Sequence, residues 1–115
     1  MKRFSHFAVG VQRGSEILFS AFQEGSAMWT GTGPREVRHP VKFPDTFEAP
    51  PTVHVSLSMW DIDVGSNQRV DIAADDVAPD GFTIVFRTWG DTRVARVRAD
   101  WLAIGPTAYE EDWDT

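Results

Sequence analysis

Alternation of apolar and polar side chains at every second residue is the feature that most constrains the fold of this chain. It runs from Thr52 to Met59, from Arg69 to Ile72, from Gly81 to Phe86 and from Val94 to Trp101. A period of two is typical of strands with one face on a core and the other toward solvent or a partner. No helical stripe of ten residues occurs anywhere in the sequence. The pattern therefore predicts an all-β fold.

Turn residues separate these runs and set the number of strands. Pro79-Asp80-Gly81 predicts a turn, and Gly90-Asp91-Thr92 predicts a tight hairpin. Two more strands are predicted at about Ser15–Phe22 and Arg35–Phe47, the second an edge or bulged strand because it contains prolines. Six short strands indicate a β-sandwich or barrel. The predicted core residues are Val53, Val55, Leu57, Val70, Ile72, Phe82, Ile84 and Phe86.

Length, charge and composition narrow the class of protein. The 115 residues fit one domain, and a net charge of −6 disfavours sequence-independent binding to nucleic acid. No apolar run is long enough for membrane insertion. No secretory signal is visible, which predicts a location in the cytoplasm or export by a route without a signal peptide. The absence of cysteine excludes thiolate zinc sites, cysteine nucleophiles and disulfides.

No constellation of residues indicates catalysis, a metal or a cofactor. The three histidines lack metal-ligand spacing, and the adjacent Asp75 and Asp76 do not converge as glycosidase carboxylates do. The segment Asp61–Asn67 resembles the start of a calcium loop but has Ser66 where glycine is required. A loop between strands is the expectation there, with a weak cation site as the alternative. We expect a binding protein rather than an enzyme.

Two residues near strand ends suit a carbohydrate. Arg69 follows a Gly-Ser-Asn loop, and Trp89 lies at the predicted hairpin turn. Sugars stack their C–H faces on indole rings, and their hydroxyls bond to charged or planar groups. The alternative for Trp89 is a position in the core.

Several short motifs follow one another along the chain in the order and spacing of a known family. They are Val11-Gln12-Arg13-Gly14, Trp29 with Arg35, Val41-Lys42-Phe43, Pro50-Pro51-Thr52-Val53, Asn67-Gln68-Arg69-Val70, Pro79-x-Gly81-Phe82, Thr88-Trp89-x-x-Thr92-x-Val94 and Trp101-Leu102-Ala103-Ile104-Gly105. Together they resemble the H-type lectin domain, the type found in a snail agglutinin and at the C-terminal end of the discoidins. The resemblance covers about residues 11–105.

The resemblance implies a six-stranded antiparallel β-sandwich, immunoglobulin-like in outline, that assembles as a trimer or a hexamer. It also implies sugar sites at subunit interfaces, without a metal on the sugar, and a ligand of galactose or N-acetylgalactosamine type. Arg69 would donate hydrogen bonds to the sugar and Trp89 would form an apolar wall. The chain departs from the family where Gly90 replaces a sugar-contacting histidine, Ala95 a tyrosine and Thr32 an aspartate.

These observations lead to a set of expectations about organisation and function. Residues 1–14 form an N-terminal arm or irregular segment, 15–105 the lectin-like sandwich, and 106–115 an acidic tail. The site residues are Arg69, Trp89, Gly90 and Thr32, in a multivalent carbohydrate-binding module. The alternative is a trimeric assembly or adhesion module of a particle or cell surface that has lost sugar binding. Arg69 has its own alternative, an ion pair with Asp63, Asp71 or Asp91 that holds the trimer together.

Overall fold

Six β-strands and one short helix make up the part of the chain that the structure describes. The computed structural model describes residues 1–4, 8–20 and 27–108. The elements are β1 (Ala8–Ser20), α1 (Ala27–Thr30), β2 (Arg35–Lys42), β3 (Thr52–Ile62), β4 (Val70–Ala78), β5 (Gly81–Thr88) and β6 (Val94–Thr107). The predicted all-β class is confirmed. No helix in the described part of the chain is long and apolar enough to cross a membrane.

The strands form two antiparallel three-stranded sheets that pack as a sandwich. One sheet has the order β1-β6-β3 and the other the order β2-β5-β4. The predicted turn at Pro79 and Asp80 joins β4 to β5, with Ala78 paired to Gly81. The predicted hairpin at Gly90-Asp91-Thr92 is wrong, because β5 and β6 belong to different sheets. The 89–93 loop instead crosses from one sheet to the other, as does the 63–69 loop between β3 and β4.

The first two strands differ from their predicted bounds. β1 begins at Ala8 rather than at about Ser15, because it pairs along its length with β6, from Ala8 opposite Thr107 to Ser20 opposite Arg96. β2 is an edge strand, as its prolines predicted, and ends at Lys42 rather than at Phe47. The acidic residues 109–115 lie outside the described part of the chain.

The core lies between the sheets and is rich in aromatic rings. Of the predicted core, Phe82, Ile84 and Phe86 are buried, while the valines, Leu57 and Ile72 are partly buried against them. The rings of Phe43, Phe47, Phe82 and Trp101 lie with centroids 5.1–5.7 Å apart. The small apolar row Ala95, Val97 and Ala99 is fully buried, and Arg96, Arg98 and Asp100 face outward on the same strand. Most of the fully buried residues lie in β5 and β6, the two strands that the 89–93 loop connects.

Candidate functional site

Three loops meet at one end of the sandwich. Two are the crossing loops, 63–69 and 89–93, and the third is the 31–34 segment that leads into β2. The main-chain N–H of Gly33 donates to the carbonyl of Gly90 at 3.0 Å, which joins the third loop to the second. All four predicted site residues, Arg69, Trp89, Gly90 and Thr32, lie in these loops.

The main chain of Arg69 is clamped between two buried threonines. Its N–H donates to Oγ1 of Thr92 at 3.1 Å, and its carbonyl accepts from Oγ1 of Thr88 at 2.6 Å. Thr92 Oγ1 in turn donates to the carbonyl of Asn67 at 2.5 Å. Thr88 and Thr92 are 1% and 0% exposed. The threonines of the Thr-Trp-x-x-Thr motif therefore hold the arginine loop in place.

The side chain of Arg69 meets a carboxylate on the neighbouring loop. Its Nη1 lies 3.0 Å from Oδ1 of Asp91, and both side chains are about half exposed. Nδ2 of Asn67 reaches the two carboxylate oxygens of Asp91 at 3.3 and 3.5 Å. The hydrogen bond from Asn67, and to a smaller extent the charge of Arg69, hold the pKa of Asp91 below its ordinary value. A donor and an ionised acceptor thus stand side by side at the surface.

The ion pair was one of the alternatives raised for Arg69, and the structure places it within one chain. Of the three candidate partners Asp63, Asp71 and Asp91, it is Asp91 that pairs with the arginine. Asp71 pairs with Arg87 at 3.7 Å instead. The pair ties the 63–69 loop to the 89–93 loop, and about half of each side chain stays open to solvent.

Arg35 fixes the same loops through the main chain. Its guanidinium donates to five main-chain carbonyls, those of Ala27, Met28, Gly33, Gly90 and Thr92, at 2.8–3.3 Å. Arg35 is only partly exposed, and its guanidinium N–H groups donate to main-chain carbonyls, so its role is to position the loops. The carbonyls it holds come from α1, the 31–34 segment and the 89–93 loop.

Gly90 and Trp89 are neighbours in the 89–93 loop but meet different surroundings. Gly90 has a φ of 70°, and a Cβ there would lie 3.2 Å from Nη1 of Arg69. Trp89 is 43% exposed and lines a surface groove with Pro34, Glu36 and Arg87. The alternative position of Trp89 in the core is therefore wrong. Thr32 is exposed, next to Gly33.

Sequence reasoning assigned no role to Asn67 and Thr92 of the cluster, and it named Asp91 only as one of three alternative ion-pair partners of Arg69. All three lie within the Asn-x-Arg and Trp-x-x-Thr motifs that carried the family resemblance. Their spacing was a usable signal, but the hydrogen bonds among them join residues 22–25 positions apart. Only the crossing of the two loops brings them together.

Several of the other side chains that could bind a metal or act in catalysis have structural partners. Asp75 bonds to Arg38 at 3.0 Å, which lowers the pKa of Asp75. In the calcium-like segment, Asp61 lies 3.9 Å from Arg96. His39 lies 3.5 Å from Glu16, and His6 falls outside the described residues. Residues 1–4, 8–20 and 27–108 contain no cluster of three or more His, Asp or Glu side chains placed to hold a metal ion.

Comparison with known proteins agrees with this architecture. The model of the H-type lectin domain matches residues 38–104. The protein of Fuscovulum blasticum named ATP synthase subunits region ORF 7 is 60% identical over 107 residues, which is 93% of each chain. One of the discoidin-1 subunits of Dictyostelium discoideum is 36% identical over 81 residues, 70% of this chain and 32% of that one.

A solved structure, wild-type discoidin II of Dictyostelium discoideum, has the same fold. It superposes with a TM-score of 0.77 at 24% identity, over 92% of this chain and 40% of that chain. The chain thus spans about a third of discoidin-1 and less than half of discoidin II. The match to the domain family covers more than half of this chain and includes both crossing loops. This lectin-like β-sandwich belongs to the H-type lectin domain family.

Proposed function

We propose that this domain binds a sugar at the end of the sandwich formed by the loops that carry Arg69, Trp89, Gly90 and Thr32. The observation that carries the proposal is the half-exposed Arg69–Asp91 pair on a rigidly clamped loop. Arg69 offers five N–H donors, and Asp91 takes only one of its two Nη groups among the described residues. A sugar with neighbouring hydroxyls can accept from Arg69 and donate to Asp91.

Asp91 also compensates for a departure from the family pattern. Thr32 stands where sugar-binding members have an acidic acceptor, and its hydroxyl carries no charge. Asp91, next to Gly90 in the chain, supplies a carboxylate with a pKa held below its ordinary value. An ionised acceptor forms the stronger class of hydrogen bond with a hydroxyl donor. The site therefore keeps both the donor and the acceptor that a sugar needs.

Binding rather than catalysis fits the family to which the chain belongs. H-type lectin domains are binding domains, and the Arg69–Asp91 pair contains no nucleophile with an adjacent base. The rival proposal is an assembly or adhesion module that kept the fold and lost the sugar. The replacement of the aspartate by Thr32 favours the rival, whereas the half-exposed Arg69 and Asp91 favour sugar binding.

The test combines a glycan array with substitution of Arg69. We expect the wild-type protein to bind glycans ending in galactose or N-acetylgalactosamine, and Arg69→Ala to weaken that binding about tenfold or more. Arg69→Lys should restore only part, because lysine keeps the charge but lacks the planar fork. A wild-type protein that binds no glycan refutes the proposal and supports the rival. An Arg69→Ala protein of unchanged affinity refutes Arg69 as the polar anchor of the site.

We further propose that the domain assembles as a trimer, singly or doubled to a hexamer, through the outer face of the β1-β6-β3 sheet. Val11 lies opposite Ile104 and Arg13 opposite Leu102 in the strand register. Val11 is 62% exposed, and Val9, Leu102 and Ile104 are also exposed large apolar residues. Apolar side chains gathered on one face favour contact with another copy, and the nearby Arg98 and Asp100 can pair between subunits.

The assembly is tested by the mass of the protein in solution. Light scattering at micromolar concentration should give a mass about three or six times the 12.9 kDa of the chain. Val11→Glu places a charge on the proposed interface and is expected to give monomer, while Val64→Glu, in a 94% exposed loop position, should leave the mass unchanged. A wild-type mass near 13 kDa across this range, or a Val11→Glu protein of wild-type mass, contradicts the proposed interface.

A further inference from the structure

A groove lies beside Trp89, next to the loops that carry Arg69 and Asp91. Its volume is about 330 Å³, which is at the lower end of the range for small-molecule sites. It is lined by Pro34, Arg35, Glu36, Arg87, Thr88 and Trp89. Trp89 therefore belongs to this groove, whereas Arg69 lies outside it. The expected apolar wall and the expected polar anchor do not face one common pocket.

The strand register explains how the groove forms at the edge of the β2-β5-β4 sheet. Arg35 is paired with Thr88 and Glu36 with Arg87, and these are the first residues of β2 and the last of β5. Glu36 and Arg87 both face outward, and their side chains meet at 3.1 Å. Trp89, which immediately follows this paired end, is also exposed. One surface thus carries an indole, a donor and an acceptor.

We propose that this groove is a second subsite that takes a neutral sugar unit of the same glycan whose terminal unit binds at Arg69. The inference rests on the sugar-binding function proposed above. A pyranose ring can stack on Trp89, while its hydroxyls accept from Arg87 and donate to Glu36. These are the kinds of contact by which proteins hold sugars, and here they are present beside the first site.

Gly90 connects the two subsites. It follows Trp89 of the groove in the chain, and a Cβ there would come within 3.2 Å of Nη1 of Arg69 in the first site. A side chain at this position would come against Arg69, beside Trp89. Because Gly90 has no side chain, a glycosidic linkage can pass over it. The glycine therefore leaves room for a ligand longer than one sugar unit.

The charged side chains of the groove already have partners, which disfavours a charged ligand. Arg87 pairs with both Glu36 at 3.1 Å and Asp71 at 3.7 Å, and Arg35 donates to main-chain carbonyls. A carboxylate on the ligand would be repelled by Glu36 and Asp71 and would have to compete with them for Arg87. Sialylated glycans are therefore expected to bind less well than neutral glycans of the same size.

The experiment compares matched monosaccharides and neutral disaccharides ending in galactose or N-acetylgalactosamine, together with sialylated forms, on one array. The wild-type protein should prefer the disaccharides about tenfold. Arg87→Met and the isosteric Glu36→Gln should each bring that preference toward one. Lys42→Met is the control, because Lys42 is an exposed cation at the far end of β2, on the same sheet face as Glu36, and does not line the groove. It should keep the wild-type preference.

The outcomes separate this inference from the function on which it rests. If no glycan binds, the sugar-binding proposal and the second subsite both fail. If sugars bind but the wild-type protein holds mono- and disaccharides equally, only the subsite fails. It fails in the same way if Arg87→Met and Glu36→Gln retain the preference as Lys42→Met does, or if sialylated disaccharides bind best. Thermal unfolding of each variant excludes a loss of binding caused by misfolding.

Discussion

Replacing Thr92 with valine is expected to loosen the loop that carries Arg69. Thr92 is 0% exposed, and its Oγ1 accepts from the N–H of Arg69 at 3.1 Å and donates to the carbonyl of Asn67 at 2.5 Å. Valine has nearly the same shape, so Thr92→Val removes two hydrogen bonds without opening a large cavity. Each lost bond to a partly buried backbone group costs about 1 kcal/mol, which gives a loss of about 2 kcal/mol in the free energy of unfolding.

Thr88→Val is the matched control. Thr88 is also buried but makes one such bond, from its Oγ1 to the carbonyl of Arg69 at 2.6 Å. Its loss should therefore cost about 1 kcal/mol. For a domain of this size the midpoint of thermal unfolding should fall by about 4 °C for each kcal/mol, so about 8 °C for Thr92→Val and about 4 °C for Thr88→Val.

The assay is thermal unfolding followed by tryptophan fluorescence, with all proteins at one concentration because assembly makes the midpoint concentration-dependent. Glycan affinity measured on the same samples should fall more in Thr92→Val than in Thr88→Val, because Thr92 holds the loop that carries Arg69 through two hydrogen bonds and Thr88 through one. If Thr92→Val is no less stable than Thr88→Val, the assignment of Thr92 as the main clamp of the loop is wrong.

Two further predictions concern residues that shape the site. Asn67→Ala removes the main donor to Asp91, so the pKa of the Asp91 carboxyl should rise toward its ordinary value in a carbon-detected NMR titration. Because the pKa of Asp91 is lowered in the folded protein, the stability that its ionised form contributes is present at neutral pH and is lost as the pH falls through that lowered pKa. In Asn67→Ala this contribution should be smaller and its loss should be complete at a higher pH, and an unshifted titration would contradict the role of Asn67. Gly90→Ala puts a side chain at a φ of 70° and within 3.2 Å of Arg69 Nη1, so it should cost about 1 kcal/mol in unfolding free energy and weaken glycan binding. Gly65→Ala, where a Cβ would come no closer than 3.6 Å to Asp63, should change neither, and equal effects of the two substitutions would argue against strain at Gly90.

Much of the fold could be predicted because burial on one face imposes a period of two on each strand. The run from Gly81 to Phe86 shows this, since Phe82, Ile84 and Phe86 are all buried. The β1 strand was harder to predict. Its Val9 and Val11 point outward, whereas Gly10 and Gly14 point inward. The apolar side chains of this segment therefore lie on the exposed face of the strand, and the start of β1 at Ala8 was not predicted.

The site was predictable in part. Arg69 and Trp89 were predicted because a charged fork and an indole beside turn residues suit a sugar, and the ordered motifs indicated the family. The role of Arg35 was not predictable, because its five main-chain carbonyl partners lie on three separate segments. Every residue has such a carbonyl, so the residue types do not show which ones accept a hydrogen bond. The partner of Arg69 was narrowed to three aspartates, and spatial proximity alone decided that it is Asp91.

The sequence by itself determined the class of the fold, the strands and most of the core, because these depend on the pattern of side chains along a single strand. Tertiary structure decided which strands share a sheet, and so turned the expected β5–β6 hairpin into a loop that crosses between sheets. That crossing sets Asp91 against Arg69 and places Trp89 on a separate groove. Such relations depend on the distance between residues far apart in the chain, and no local periodicity encodes that distance.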